Sequence, residues 1–266
     1  MNNLIPKIIH FVWVGTKDKP KLVNDCIDSW KRFCPDYEIM EWNNESLKDI
    51  NNLYVKQAFE NHKYAFVSDF IRLYALKKYG GFYFDTDLEL TNYIDKFRIY
   101  NFVTGYELYD GVVHPITAFM GTTPENNVVN ALLEEYNNVP FIKNGIMDET
   151  TNTIRITKYF SSKYAFNKPY SGDNTTVLED KIVIFPYYFF FTPENNKENY
   201  AIHHFNGSWI DPYVRKNLFI IGDYKLVRYK RRPNVEGSYM PLLSNEKKVY
   251  EFSIFENRKY CILKNV

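Results

Sequence analysis

Two carboxylates two positions apart, Asp85 and Asp87 in Phe82-Tyr83-Phe84-Asp85-Thr86-Asp87-Leu88, are the part of this sequence best suited to chemistry. The aromatic run predicts a strand leaving the core. Alternation along it sends Tyr83, Asp85 and Asp87 to one side, and Phe82, Phe84 and Thr86 to the other. Such a pair repels unless a cation sits between the two groups. Hard oxygen ligands of this kind suit Mg²⁺ or Mn²⁺, ions that fill their remaining coordination with a diphosphate. A D-x-D string alone is common by chance, so its surroundings decide its weight.

Those surroundings include the helix predicted just upstream, from Ala65 to Leu76, which is apolar on nearly every face and must be largely buried. It carries Asp69 and Arg72 three apart on one side, and a buried charge needs a partner. Two readings stand: the pair neutralise each other, or they form a polar floor under a ribose, sugar hydroxyls or a phosphate. His10, on an apolar strand, reads as a satisfied core histidine rather than a ligand.

The elements that must position these groups follow from punctuation and period. Ile5 to Gly15 reads as a buried strand, Pro20 opens a helix through about Phe33, and Tyr37 to Trp42 alternates as a second strand. This β-α-β opening predicts a mainly parallel sheet with helices packed on it. Leu47 to Tyr79 reads as helices stopped by Gly80-Gly81. Short strands and turns follow from Phe102 to Gly121, then a short helix from Asn127 to Tyr136. Residues 140–180 read as irregular loops facing an acceptor, and Ile182 to Phe191 as a strand interrupted at Pro186. After Trp209 short β-like runs lie between Gly222-Asp223, Glu236-Gly237 and Glu256-Asn257. The division expected is a catalytic domain over 1–212 and a β-rich extension over 213–266.

Composition excludes several classes. Lys and Arg number 33 against 32 Asp and Glu, a formal net charge of +1 that leaves no footprint for nucleic acid. With 45% hydrophobic and 24% charged residues the chain is globular, not disordered. Aromatics reach 18%, which builds a thick core, suits a cleft that stacks on bases and sugars, or reflects an AT-rich coding sequence. Cys26, Cys34 and Cys261 have no paired spacing, no apolar run approaches the roughly 20 residues of a membrane span, and the first strand starts without a leader. A cytoplasmic protein is expected. Its membrane contact would be peripheral, through the basic cluster Lys225, Arg228, Lys230, Arg231 and Arg232 at the inner face of the plasma membrane.

Three strings in order resemble the DXD-motif sugar-transferase family, which includes mannosyl- and galactosyltransferases and capsule enzymes, with the clostridial glucosylating toxins as distant cousins. They are Ile5 to Trp13, then Ser68 to Tyr74 with Tyr79 to Asp87, and Ala201 to Trp209. The resemblance covers about residues 5–210. It implies an α/β fold of the GT-A (Rossmann-like) type, a nucleotide-sugar donor, Mn²⁺ or Mg²⁺, and transfer with retention of configuration. It also implies roles. Trp13 would stack on the nucleotide base, with Val12 also in the donor site, Asp69 and Arg72 would hold the ribose and sugar, and Tyr83 the phosphates or ribose. Asp85 would contact donor and metal, Asp87 would ligate the metal, and Ser208 with Trp209 would close over the diphosphate. The third metal ligand would be His204, with His203 as the alternative, since neighbours on a strand face opposite ways. Asp173 stands where relatives often have a proline in an acceptor loop and is given no role.

The function expected is hexose transfer from a UDP-sugar to a glycan or lipid-linked oligosaccharide acceptor of a bacterial surface polysaccharide. Two alternatives compete. A haloacid-dehalogenase-type phosphatase also uses a strand ending in D-x-D, but it needs Thr or Val where this chain has Glu89. A non-catalytic sugar-binding module would leave Asp69, Arg72 and the aspartate pair unexplained.

Overall fold

A computed structural model describes residues 4–15, 17–109, 112–164, 172–205, 213–231, 246–255 and 258–265. It divides into two units, Met1–Phe59 with Tyr64–Asn206, and Glu60–Lys63 with Gly207–Val266.

The chain begins with β1 (Ile8–Val12), α1 (Lys21–Phe33) and β2 (Glu38–Trp42). Pro20 caps α1 at φ −67° and ψ 165°, a position where its missing N–H costs nothing, and Lys31 and Arg32 face the negative end of the helix. Next come α2 (Leu53–Glu60), α3 (Tyr64–Tyr79), β3 (Gly81–Phe84) and β4 (Leu88–Leu90). Gly80, at φ +63°, returns its N–H to the Leu76 carbonyl at 2.9 Å and ends α3. Gly81 stands so close to β1 that a Cβ there would meet the Ile8 carbonyl oxygen at 2.7 Å. Two glycines thus turn a buried helix directly into a buried strand.

There follow β5 (Phe102–Tyr109), β6 (Val112–Pro115), β7 (Phe119–Thr122), α4 (Asn127–Glu134), β8 (Ile142–Lys143) and β9 (Ile146–Met147). The first unit closes with α5 (Asn152–Lys163), β10 (Thr176–Leu178), β11 (Ile182–Phe185), α6 (Tyr187–Phe190) and β12 (Ala201–His203). The main sheet has the order β10-β11-β5-β7-β3-β1-β2, with β6 added on β5. β2, β1 and β3 pair in parallel and β11 pairs in parallel with β5, while β7 runs antiparallel between β3 and β5. This is the expected α/β arrangement with a mainly parallel central sheet.

Alternation along the strands sorts side chains into two apolar layers. Val12 and Tyr83 face the layer built with α3, α4 and α5; Ile9, Phe11, Phe82 and Phe84 face the layer built with α1. Trp30 of α1 is fully buried there, edge-on to Phe11 and Phe84, and its indole N–H donates to the Leu88 carbonyl at 2.7 Å. Phe119 stacks on Phe190 at 3.9 Å, and Phe97 sits edge-on to Phe185, Phe190 and Tyr200. Much of the aromatic excess is therefore core, where offset and edge contacts add about 0.5–1.5 kcal/mol per pair beyond burial.

His10 is a core histidine, as expected. It is fully buried, its Nε2 lies 2.9 Å from the Gly80 carbonyl, and its Nδ1 accepts from the Trp42 indole N–H at 3.2 Å. An indole N–H only donates, so the imidazole must be neutral with its proton on Nε2. Burial lowers its pKa to about 4, against the opposing pull of the Gly80 carbonyl. The unfolded chain then takes up a proton near pH 6.5 that the native state refuses until about pH 4, so stability falls as pH falls through that window. The expected loss is about 2–3 kcal/mol between pH 7 and 4.5. Urea unfolding of wild type and His10→Gln at both values should show a shallower fall in the variant; equal falls would remove His10 as the cause.

Three expectations are corrected. The strand through the aspartates stops at Phe84, and Asp85 to Asp87 form a turn in which the Leu88 N–H returns to the Asp85 carbonyl at 3.0 Å. Residues 140–180 are not loop throughout, because α5 lies within them; its buried face mixes Asn152, Arg155 and Thr157 with Ile156 and Phe160, so no apolar stripe announces it. Pro186 does not merely interrupt a strand but caps a helical turn after β11.

The second unit contains β13 (Tyr213–Ile221), β14 (Tyr224–Arg231), β15 (Glu246–Phe255) and β16 (Arg258–Asn265), an antiparallel sheet of order β13-β14-β16-β15. Gly222-Asp223 turns β13 into β14, as expected, with Gly222 at φ +56°. Val227, Tyr229, Cys261 and Leu263 fill one face. Among the described residues no helix is long and apolar enough to cross a membrane.

Candidate active site

The turn after β3 presents Asp85 and Asp87, and β12 brings a histidine to them. β12 pairs antiparallel with β4, His203 opposite Leu88 and Ile202 opposite Glu89, and the His204 N–H donates to the Asp87 carbonyl at 3.0 Å. This register fixes which histidine faces the aspartates. His203 Nε2 stands 3.3 Å from Asp87 Oδ1, whereas His204 shares a face with Glu89 and meets its Oε2 at 3.0 Å. Ligand atoms of Asp85, Asp87 and His203 lie within 4.8 Å of one another. The histidine expected beside the aspartates was His204; the structure places the alternative, His203, there instead, because strand neighbours point to opposite faces.

Two carboxylates and one imidazole suit a divalent ion of the Mg²⁺ or Mn²⁺ kind. His203 Nδ1 is buried without a hydrogen-bond partner, 3.7 Å from Glu107 Oε1, so the ring is aimed by its acidic neighbours rather than saturated by them. Burial alone would lower the pKa of His203, but the Asp87 and Glu107 carboxylates outweigh it and raise the value to about 10. The metal-free site therefore carries its own cation beside Asp87. That is how the expected repulsion between the aspartates is relieved.

Arg72 supplies a second cation. Its guanidinium bridges Asp69 Oδ1 at 3.1 Å and Asp85 Oδ1 at 3.0 Å, and donates to the carbonyl and hydroxyl of Thr117 at 2.8 and 3.0 Å. It also lies over the Tyr83 ring, 4.5 Å from the centroid, while the Tyr83 hydroxyl donates to Asp85 Oδ1 at 3.0 Å. Burial holds the Tyr83 phenol well above its ordinary pKa, so it remains a donor. Burial also pushes Asp69 up to about 6, against Arg72 and the Asn152 backbone N–H, which donates to its Oδ2 at 3.1 Å. Asp69 and Arg72 pair with each other, as the first of the two sequence readings has it, and the same guanidinium reaches Asp85.

The structure thus gathers Asp69, Arg72, Tyr83, Asp85 and Asp87 around one point. Of the other residues expected at the donor site, Val12 has its side chain in the core, so only its main chain is left for a ligand. Trp13 is half-buried after β1, with its indole N–H given to the Lys17 carbonyl at 2.9 Å. Ser208 and Trp209 lie outside the described residues. Thr117, Asn152 and Glu107 were not visible as site residues; each reaches the cluster from a distant element, and none sits in a motif.

Residues 20–103, the segment holding Asp69, Arg72, Asp85 and Asp87, match the family described as glycosyltransferase sugar-binding region containing DXD motif. The resemblance to DXD sugar transferases is borne out over that segment. Among curated proteins, the chain is 32% identical over 98 residues to inositol phosphoceramide mannosyltransferase 3 of Schizosaccharomyces pombe, covering 34% of this chain and 26% of that protein. It is 24% identical over 185 residues to an uncharacterized glycosyltransferase of Acanthamoeba polyphaga mimivirus, covering 67% of this chain and 72% of the viral one. The chain thus spans about a quarter of the length of the first relative. The solved PaToxG glycosyltransferase aligns at a TM-score of 0.43 and 20% identity, over 61% of this chain and 70% of that one.

Proposed function

We propose that this chain is a metal-dependent, retaining glycosyltransferase that moves a hexose from a UDP-sugar to a glycan or lipid-linked acceptor of a bacterial surface polysaccharide. The observation that carries the reading is the convergence of Asp85, Asp87 and His203 within 4.8 Å, with Arg72 bonded to Asp85 beside them. The match to a DXD sugar-binding region supports the same reading. Catalysis resides in residues 1–212, and 213–266 are an appended β-rich extension.

Asp85, Asp87 and His203 would hold Mn²⁺ or Mg²⁺, which when bound neutralises the charge of the departing diphosphate. The chain's own groups do the rest. Arg72 and the Tyr83 hydroxyl fix the Asp85 carboxylate, so that the ligand is aimed before metal arrives. Asp69, held by Asn152 and Arg72, offers an acceptor to ribose or sugar hydroxyls. Ser208 and Trp209 would cover the diphosphate and exclude water.

Screening nucleotide sugars for Mn²⁺-dependent hydrolysis without acceptor tests this reading. Release of UDP from at least one UDP-hexose is expected. His203→Ala should weaken metal activation by about 10–100-fold and His204→Ala by much less. Phosphatase activity on simple monoesters would favour the dehalogenase alternative, and sugar binding without turnover a binding module. An unaffected His203→Ala would sink the metal assignment.

A further inference from the structure

The C-terminal sheet has one filled face, and the opposite face shows an ordered pattern of its own. Cross-strand register assigns its rows. At the hairpin end Ile221, Tyr224, Lys264 and Lys247 lie side by side across all four strands; the next row on the same face is Phe219, Leu226, Ile262 and Tyr250. The third is Lys216, Arg228, Tyr260 and Phe252. Phe252 and Tyr260 stack at 5.3 Å and 12°. An apolar band thus crosses the sheet between two rows that carry lysine or arginine. It is open: Phe219 is 67% exposed, Tyr250 61% and Ile221 79%. Ile220, which points away from Ile221, is 60% exposed as well, so the tip of the β13–β14 hairpin is apolar on both sides.

Charge says what kind of surface this face meets. Residues 213–266 hold twelve Lys and Arg against five Asp and Glu, a net +7 in a chain whose total is +1. Within the basic cluster expected from sequence, Lys225 is largely covered and paired with Glu246 at 3.0 Å, while Lys230 is exposed. Lys247 and Lys264 are exposed in the row of Ile221 and Tyr224.

We infer that the β13–β14 hairpin tip and this sheet face dock on an anionic lipid bilayer, with Phe219, Ile220 and Ile221 entering the headgroup and acyl boundary and Lys247 and Lys264 meeting acidic headgroups. Apolar side chains on both sides of a hairpin tip suit insertion into a medium that surrounds them. A planar sugar chain would need aromatic rings on one side only. The inference is independent of the transfer reaction and is read without any assay of it.

The test is co-sedimentation of the full chain with vesicles of phosphatidylcholine alone or with about 30% phosphatidylglycerol, at about 0.1 and 0.5 M salt. The expected result is at least about tenfold stronger binding to the anionic vesicles, weakened at high salt. Ile221→Asp should lower that binding about tenfold or more, and Lys264→Glu should abolish the preference for anionic lipid. Both positions are exposed, and circular dichroism checks that each variant is folded. Phe219→Trp should shift its emission to the blue on anionic vesicles. Unchanged binding by Ile221→Asp, or an unshifted Phe219→Trp signal on vesicle-bound protein, would overturn the inference. So would retention on an acidic polysaccharide without vesicle binding, or a dimer that Ile221→Asp dissolves, which would assign the face to a glycan or to a second copy.

Discussion

Asp87→Asn is expected to abolish the joint stabilisation by Mn²⁺ and UDP and to lower metal-dependent turnover by about 10²–10³-fold. In the wild-type protein, ligand at about 100 times Kd adds roughly 2.7 kcal/mol, a rise in Tm of about 5–10 °C for a chain of this size. Metal and UDP should act synergistically, because each relieves part of the other's charge. The metal-free variant should itself melt about 3–6 °C lower, since Asn cannot neutralise the largely buried His203 and about 1–2 kcal/mol is lost. The sign can be checked by pH. The pKa of His203 is raised to about 10, so its stabilising pair with Asp87 is fully present below about pH 6.5 and is lost as pH rises through 10. The gap between wild type and variant should therefore close in alkali. A retained Mn²⁺-dependent shift with UDP would show that Asp87 is not a ligand.

Arg72→Met is expected to cost about 3–5 kcal/mol of folding free energy and to eliminate turnover. The Arg72 side chain is only 6% exposed and its guanidinium lies between Asp69 and Asp85, so its removal leaves two carboxylates facing each other and two Thr117 acceptors without their donor. Arg72→Lys should recover little, because one ammonium cannot reproduce the fork that reaches both acids and the Thr117 carbonyl. Adding Asp69→Asn to Arg72→Met should restore part of the stability but none of the activity. Denaturant unfolding of the single and double variants measures this, and a loss below about 1 kcal/mol in Arg72→Met would mean that solvent reaches the cluster freely.

What was legible in the sequence follows from how local each cause is. Pro20, Gly80 and Gly81 act on their own backbone, so the ends of α1 and α3 could be read directly. The alternation of Phe82, Tyr83 and Phe84 is a property of one strand and held for as long as that strand lasted. Asp85 and Asp87 were found as a motif, although a turn rather than a pleat brings them together. The choice between His203 and His204 was not legible, because it depends on the register of β12 against β4, which no property of either histidine encodes. Thr117, Asn152 and Glu107 were hidden for the same reason: each is defined by a partner far along the chain. Helix α5 escaped because its buried side is partly polar, and that polarity exists to meet Asp69, Tyr136 and the acids around Arg155.

The pairing of β12 with β4 joins the aspartate turn to a segment that leaves the ribosome much later. A nascent chain that has already released β1, α3 and β3 carries both aspartates but lacks the strand that brings His203. Under the proposed function, the acidic turn alone would offer two of the three groups that hold the metal. The third group is in place only once Ala201–His203 pairs with Leu88–Leu90 and the His204 N–H meets the Asp87 carbonyl. Completion of the cluster is thus tied to a strand that is made more than a hundred residues after the aspartates.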